Sequence, residues 1–91
     1  MRTITVGAAQ LGPIQRDEPR TKVVDRLIAL LRQGADAGTD LVVFPELALT
    51  TFFPRWHLEG AEADAFYETE MPNAATQPLF DEAARLGVGF A

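Results

Sequence analysis

The chain of 91 residues contains no cysteine. Disulfides, thiolate metal sites and thiol nucleophiles are therefore excluded from this stretch. Histidine occurs once, at His57, and a lone histidine builds no metal site. Lysine occurs once, at Lys22. Cations are scarce overall: 8 Lys and Arg face 13 Asp and Glu, for a net charge of −5 and a pI near 4.6. Phosphate binding needs clustered Lys and Arg, so nucleic acid is not an expected partner. No apolar run approaches the ~20 residues a membrane-spanning helix needs, so no membrane partner is expected. Met1-Arg2-Thr3-Ile4 leads through only a handful of apolar residues to Gln10, which is not a signal-peptide pattern. These absences lead us to expect a cytoplasmic protein. Gly7, Gly12 and Gly38 do not assemble into GxGxxG or GxxxxGK[ST], so nucleotide binding has no local support and no cofactor is implied.

What is present reads as an α/β chain. The hydrophobic fraction of 47% is that of a globular protein. Thr3 to Gln10 alternates as a strand, with Ile4, Val6 and Ala8 on one face and Thr5, Gly7 and Ala9 on the other. The second face is small-sided, which anticipates close approach by another layer. Leu11-Gly12-Pro13 breaks the strand. A helix is expected over Pro19–Asp36, begun by Asp17 or Glu18. Val24, Leu27, Ile28, Leu31 and Ala35 form its apolar stripe; Lys22, Asp25, Arg26, Arg32 and Asp36 form its wet side. Gly38 suits the position just past its end.

Asp40 to Phe44 reads as a second strand. Its apolar residues are consecutive, the pattern of a strand covered on both faces in a parallel sheet. Strand, helix and strand at this spacing form a βαβ unit, expected to be right-handed. Leu47–Leu58 is a loop rich in aromatics. Glu59–Glu70 carries five acids and no base around a short irregular helix, and reads as a solvated face. It lacks the glycine and alternating ligands of a calcium loop. A second regular helix is expected over Gln77–Leu86, with Leu79, Phe80, Ala83 and Leu86 inward, Thr76 as its N-cap and Gly87 just past its end. Val88–Ala91 begins a third strand and stops inside it. We therefore expect residues 1–91 to be the N-terminal, incomplete part of one larger domain, since strands covered on both faces need more layers than two helices supply.

One carboxylate stands out. Glu46 follows the second strand directly after Pro45, which fixes its own φ and extends Phe44. Ligands of open α/β sheets sit beyond the carboxyl ends of the strands. A carboxylate among apolar rings loses solvation and its pKa rises, which suits it to take a proton near neutral pH. The aromatics Phe52, Phe53 and Trp56 either fill core space or wall a pocket there. Arg55 either grips a substrate carboxylate or lies on a surface. From position alone, Glu46 is equally a surface residue opening a loop.

The first strand ending Ala8-Ala9-Gln10, the long helix and Asp40-Leu41-Val42-Val43-Phe44-Pro45-Glu46 together resemble the carbon–nitrogen hydrolase (nitrilase) superfamily. Phe44 through His57 and Phe66-Tyr67-Glu68-Thr69-Glu70-Met71-Pro72 look most like its N-carbamoyl-D-amino acid amidohydrolases, and the similarity spans the chain. That resemblance implies a four-layer αββα sandwich, of which this would be the leading βαβαβ portion. It implies assembly into homo-oligomers, a small-molecule substrate, and neither metal nor organic cofactor. It also implies a glutamate–lysine–cysteine triad. Glu46 matches the glutamate, the general base, and Phe53 and Trp56 are the candidate substrate contacts. The departure is plain: there is no cysteine, and Lys22 does not match the family's lysine. The 91 residues alone are expected to be inactive. Other amidases, nitrilases or β-ureidopropionases, and a non-catalytic α/β module, are the alternatives.

Overall fold

A computed structural model describes all residues, Met1–Ala91. The element order is β1 (Val6–Ala8), α1 (Arg20–Asp36), β2 (Leu41–Val43), a 3-10 turn (Phe53–Arg55), α2 (Ala61–Asp64), α3 (Gln77–Leu86) and β3 (Gly89–Phe90). The three strands form one parallel sheet in the order β1-β2-β3. The chain is thus α/β, in an arrangement compatible with the leading part of a nitrilase-like domain. No helix is long and apolar enough to cross a membrane.

Parallel pairing requires crossovers: α1 lies in the one from β1 to β2, and α2 and α3 in the one from β2 to β3. The ladder extends past the strand limits: Asp40 N–H donates to Thr5 O at 2.7 Å, Ala9 N–H to Val43 O at 2.8 Å and Phe44 N–H to Ala91 O at 2.7 Å. β1 is nonetheless shorter than the expected Thr3–Gln10. It is an edge strand with one neighbour, and Asp40 Oδ2 accepts the Thr5 N–H at 2.8 Å where the pairing begins. Met1 to Ile4 lie exposed ahead of it.

α1 begins one residue after the expected start. Pro19 is its N-cap, with extended φ and ψ and no side-chain cap. Glu18 is drawn away instead to Arg26, whose Nη1 donates to its carboxylate at 3.0 Å. Val24, Leu27, Ile28 and Leu31 are buried as the 3.6-residue period demands, and Val23 joins them. α3 has the expected limits. Thr76 is its N-cap, but the hydroxyl accepts the Asn73 N–H at 2.8 Å and caps no helical amide. Gly87 closes the helix in the left-handed region, at φ 68°. Leu79 and Ala83 complete the core with Val42 and Val88.

The sheet is covered on one face only within these residues. Register places Gly7, Val42 and Phe90 on the helix side, and Val6, Leu41 and Gly89 on the other. Val42 is 1% exposed, whereas Val43 beside it is 38% exposed. Ile4 and Val6 are exposed on the same open side. The consecutive apolar run thus has one residue face under the helices and one open.

Close approach of α1 to the sheet was anticipated from the small face of β1. The tightest point is Gly34, where a Cβ would stand 2.6 Å from Val42 Cγ2 and 3.1 Å from Thr39 Oγ1. α1 and α3 are joined by Glu82, which is buried on the α3 face and was not anticipated there. Arg32 Nε of α1 donates to Glu82 Oε2 at 2.6 Å, and Arg85 Nε donates to Oε1. The Arg85 and Arg32 guanidinium groups hold the Glu82 carboxyl below its ordinary value of 4.5.

Two outcomes follow from this packing. Gly→Ala in a helix normally stabilises by up to about 1 kcal/mol. Gly34→Ala is expected to destabilise instead, by about 1–3 kcal/mol in urea unfolding, because a stiff, buried valine is in the way. A stabilised variant would show that the helix stands further off. The stability Glu82 contributes is present above pH 4.5 and is lost as pH falls through its depressed folded-state pKa. Glu82→Gln is therefore expected to be less stable than the parent at pH 7, with the gap in urea midpoint narrowing steadily below pH 4.5. A gap constant with pH would contradict the ion-pair assignment.

Candidate functional site

The site is built where β2 leaves the sheet. Phe44 is its last paired residue, and its ring packs on Phe90 with centroids 5.8 Å apart. Pro45 then ends the ladder, since it has no N–H to donate. Residues 46–49 form a turn, closed by the Thr50 N–H donating to Leu47 O at 3.2 Å. Leu47 has φ 54°, the only positive φ outside glycine in the chain.

Glu46 projects at the carboxyl edge of the sheet. It lines a cleft of about 150 Å³ with Leu11, Gly12 and Ile14 from the β1–α1 connection and Phe52 from the loop. Two strand ends thus contribute to one hollow, the position expected of a ligand site in a parallel sheet. Glu46 is exposed and makes no ion pair. The apolar enclosure expected around it is not provided by these residues. Phe52 reaches the cleft, but it is itself 54% exposed.

Phe53 and Trp56 are placed elsewhere. Phe53 opens the 3-10 turn and stacks on Phe66, with centroids 5.0 Å apart and planes 6° from parallel, while Tyr67 meets it edge-on at 5.5 Å. Trp56 lies under the guanidinium of Arg16 at 4.7 Å and near that of Arg55 at 5.4 Å. Neither lines the Glu46 cleft. The sequence showed an aromatic cluster after the strand, but not that its partners sit in the acidic segment further on. Arg55 Nε donates to Phe52 O at 3.2 Å and meets no carboxylate. His57 and Glu59, both exposed, pair at 3.0 Å.

The acidic segment is not uniformly solvated. Glu59, Glu62, Asp64 and Glu70 are exposed, but Glu68 accepts from Arg20 Nε and, at 2.6 Å, from Asn73 Nδ2. Arg20 also donates to Ala65 O at 3.0 Å, and Asn73 Oδ1 accepts the N–H groups of Ala75 and Thr76. One carboxylate thereby ties the segment to the starts of both α1 and α3. Its arginine partner lies 48 residues away, so nothing local in the sequence distinguished it from its neighbours.

A second, apolar cavity of about 320 Å³ lies on the helix side of the same turn, against Leu27, Phe66, Met71, Leu79 and Phe80. Pro45, Leu47, Ala48 and Thr50 line both hollows, so the turn is the wall between them. Thr50 is buried in that wall, its hydroxyl without a partner. Lys22 is exposed on α1, in a shallow polar hollow with Asp17, Glu18 and Asp25 that shares no residue with the Glu46 cleft. No three His, Asp or Glu side chains gather in a metal-binding arrangement. What the cleft offers chemically is one free carboxylate acceptor at a sheet edge. The profile of the carbon-nitrogen hydrolases matches residues 5–91.

Proposed function

Because the chain belongs to the carbon-nitrogen hydrolase family, we propose that Glu46 is the general base of a C–N bond-cleaving site whose nucleophile and cationic partner lie outside these residues. The observation that carries this is the place of Glu46: unpaired, at a cleft where two parallel strands end, held between a proline and a strained leucine. A base that is to serve an incoming thiol must be free of other partners, and Glu46 is. Arg20, Arg26 and Arg32, by contrast, already hold other carboxylates.

The substrate class we propose is N-carbamoyl-D-amino acids, cleaved to the amino acid, carbon dioxide and ammonia. Resemblance over Phe44–His57 and Phe66–Pro72 supports it, and the D-preference rests on that resemblance alone. In the chemistry proposed, Glu46 takes the proton of a cysteine thiol as the sulfur–carbon bond forms and the carbonyl electron pair moves to oxygen. A lysine holds that oxyanion. The proton passes to the leaving amino-acid nitrogen as the C–N bond breaks, water then hydrolyses the carbamoyl–sulfur bond, and the carbamic acid released falls apart to carbon dioxide and ammonia. Phe53 and Trp56 remain candidate substrate contacts only through closure of the loop that carries them.

The open sheet face, with Ile4, Val6 and Val43 exposed, supports the reading that these residues are the first half of a four-layer αββα sandwich. We extend the proposal to an intact enzyme that is cytoplasmic and homo-oligomeric. The absence of cysteine favours a second reading for the 91 residues taken alone, that of a non-catalytic α/β module.

The test uses the full protein carrying this segment, assayed for ammonia release from N-carbamoyl-D- and L-amino acids, simple amides and nitriles. Turnover of the carbamoyl-D compounds is expected, falling by several orders of magnitude in Glu46→Gln, since triad members act as a unit. Turnover of amides or nitriles only would overturn the substrate class. Near-normal turnover by Glu46→Gln would overturn the base assignment.

A further inference from the structure

Leu47 is the one residue other than glycine whose φ is positive. Three glycines have positive φ: Gly38 and Gly87 at helix ends, and Gly60 ahead of α2. At each, an added Cβ would meet nothing within 4 Å, so those positions use glycine for its backbone alone. Where the turn after β2 needs the same left-handed conformation, the sequence places leucine. A Cβ in that region crowds the following carbonyl oxygen, and bulky residues there are outliers. Such a residue persists only when its surroundings over-determine it.

The surroundings do so. Pro45 fixes the φ that precedes Glu46. The Thr50 N–H closes the turn on Leu47 O at 3.2 Å. The Leu47 side chain is half-buried in the wall between the Glu46 cleft and the apolar cavity, in contact with both hollows. A glycine would adopt the same φ more easily, but would adopt many others as well. Glu46 is therefore bracketed by a residue whose φ is fixed covalently and a residue whose φ is fixed by packing.

We propose that Leu47 is a positioning residue: its left-handed backbone holds Glu46 toward the cleft at the carboxyl edge of β2. The inference rests on reading Glu46 as the base, and it adds how that base is aimed. A different φ at Leu47 would re-aim the adjoining Glu46 away from the cleft. Misplacement of a reacting group by about 1 Å can cost up to roughly 100-fold in rate. The strain at Leu47 therefore acts on turnover more than on substrate binding.

The experiment compares Leu47→Val, Leu47→Asn and Glu46→Gln in the full protein, by kcat, KM, the pH profile of kcat and thermal midpoint. Valine is β-branched and resists the left-handed region, whereas asparagine tolerates it. Leu47→Val is expected to lose tenfold to hundredfold in kcat with KM within about threefold, and Leu47→Asn to stay within about threefold of the parent in kcat with an unshifted acid limb. If Leu47→Val does not fold, Leu47→Asn decides. A large kcat loss in a folded Leu47→Asn variant would show that the leucine side chain acts in its own right, overturning the proposal. Parent-like kcat in a folded Leu47→Val variant would overturn it too. If Glu46→Gln is inactive while Leu47→Val is parent-like, only the positioning role falls. If Glu46→Gln is active, both fall.

Discussion

The pinning of β2 between β1 and β3 is the constraint on which the rest depends. Its central residue, Val42, is sealed beneath α1 at the point where Gly34 admits no side chain. Pairing on both edges fixes where the strand must stop, because Phe44 spends its N–H on Ala91 and Pro45 has none to offer. A slip of one residue would turn Val42 outward and Val43 into the helices, so register is set strongly here. Glu46 inherits its place from that register. It stands three residues past Val43, at the edge where β1 also ends.

Charge is used in this acidic chain mainly to lock elements together. Glu82 joins α1 to α3, Glu18 joins the β1–α1 connection to α1, and Glu68 joins the 65–73 segment to the starts of both long helices. Each sits against an arginine supplied by another turn or element. Arg26 also draws the Glu18 carboxyl below its ordinary value, as Arg85 and Arg32 do for Glu82. Glu46 is outside this scheme, in a cleft whose other walls are mostly apolar. Glu46 is left unpaired where two strands end, whereas the paired carboxylates tie elements together.

The two long helices were legible because their apolar residues recur at three and four, and tertiary packing then buried that stripe; the limits of α3 agree to the residue. β2 was legible from its apolar run, and Gly7 and Ala9 announced the close layer. Three features were not legible. Coverage of the sheet on one face could not be read from β2, because its composition answers to two layers. The burial of Glu82 depends on Arg32, and that of Glu68 on Arg20, each about fifty positions away. The partners of the aromatic loop were hidden for the same reason: Phe53 finds Phe66 and Tyr67 in a segment whose acids made it look wholly solvated. At the candidate site the position of Glu46 was legible and its exposure was not. The left-handed Leu47 leaves no mark in a sequence that elsewhere turns on glycine.

The most direct measurement is a crystal structure of the full protein trapped as a covalent adduct on its nucleophile. A Glu46 oxygen is expected within about 2.6–3.2 Å of that sulfur, with Leu47 still left-handed. A nucleophile served by a different base, with Glu46 turned to bulk solvent, would contradict the proposed role.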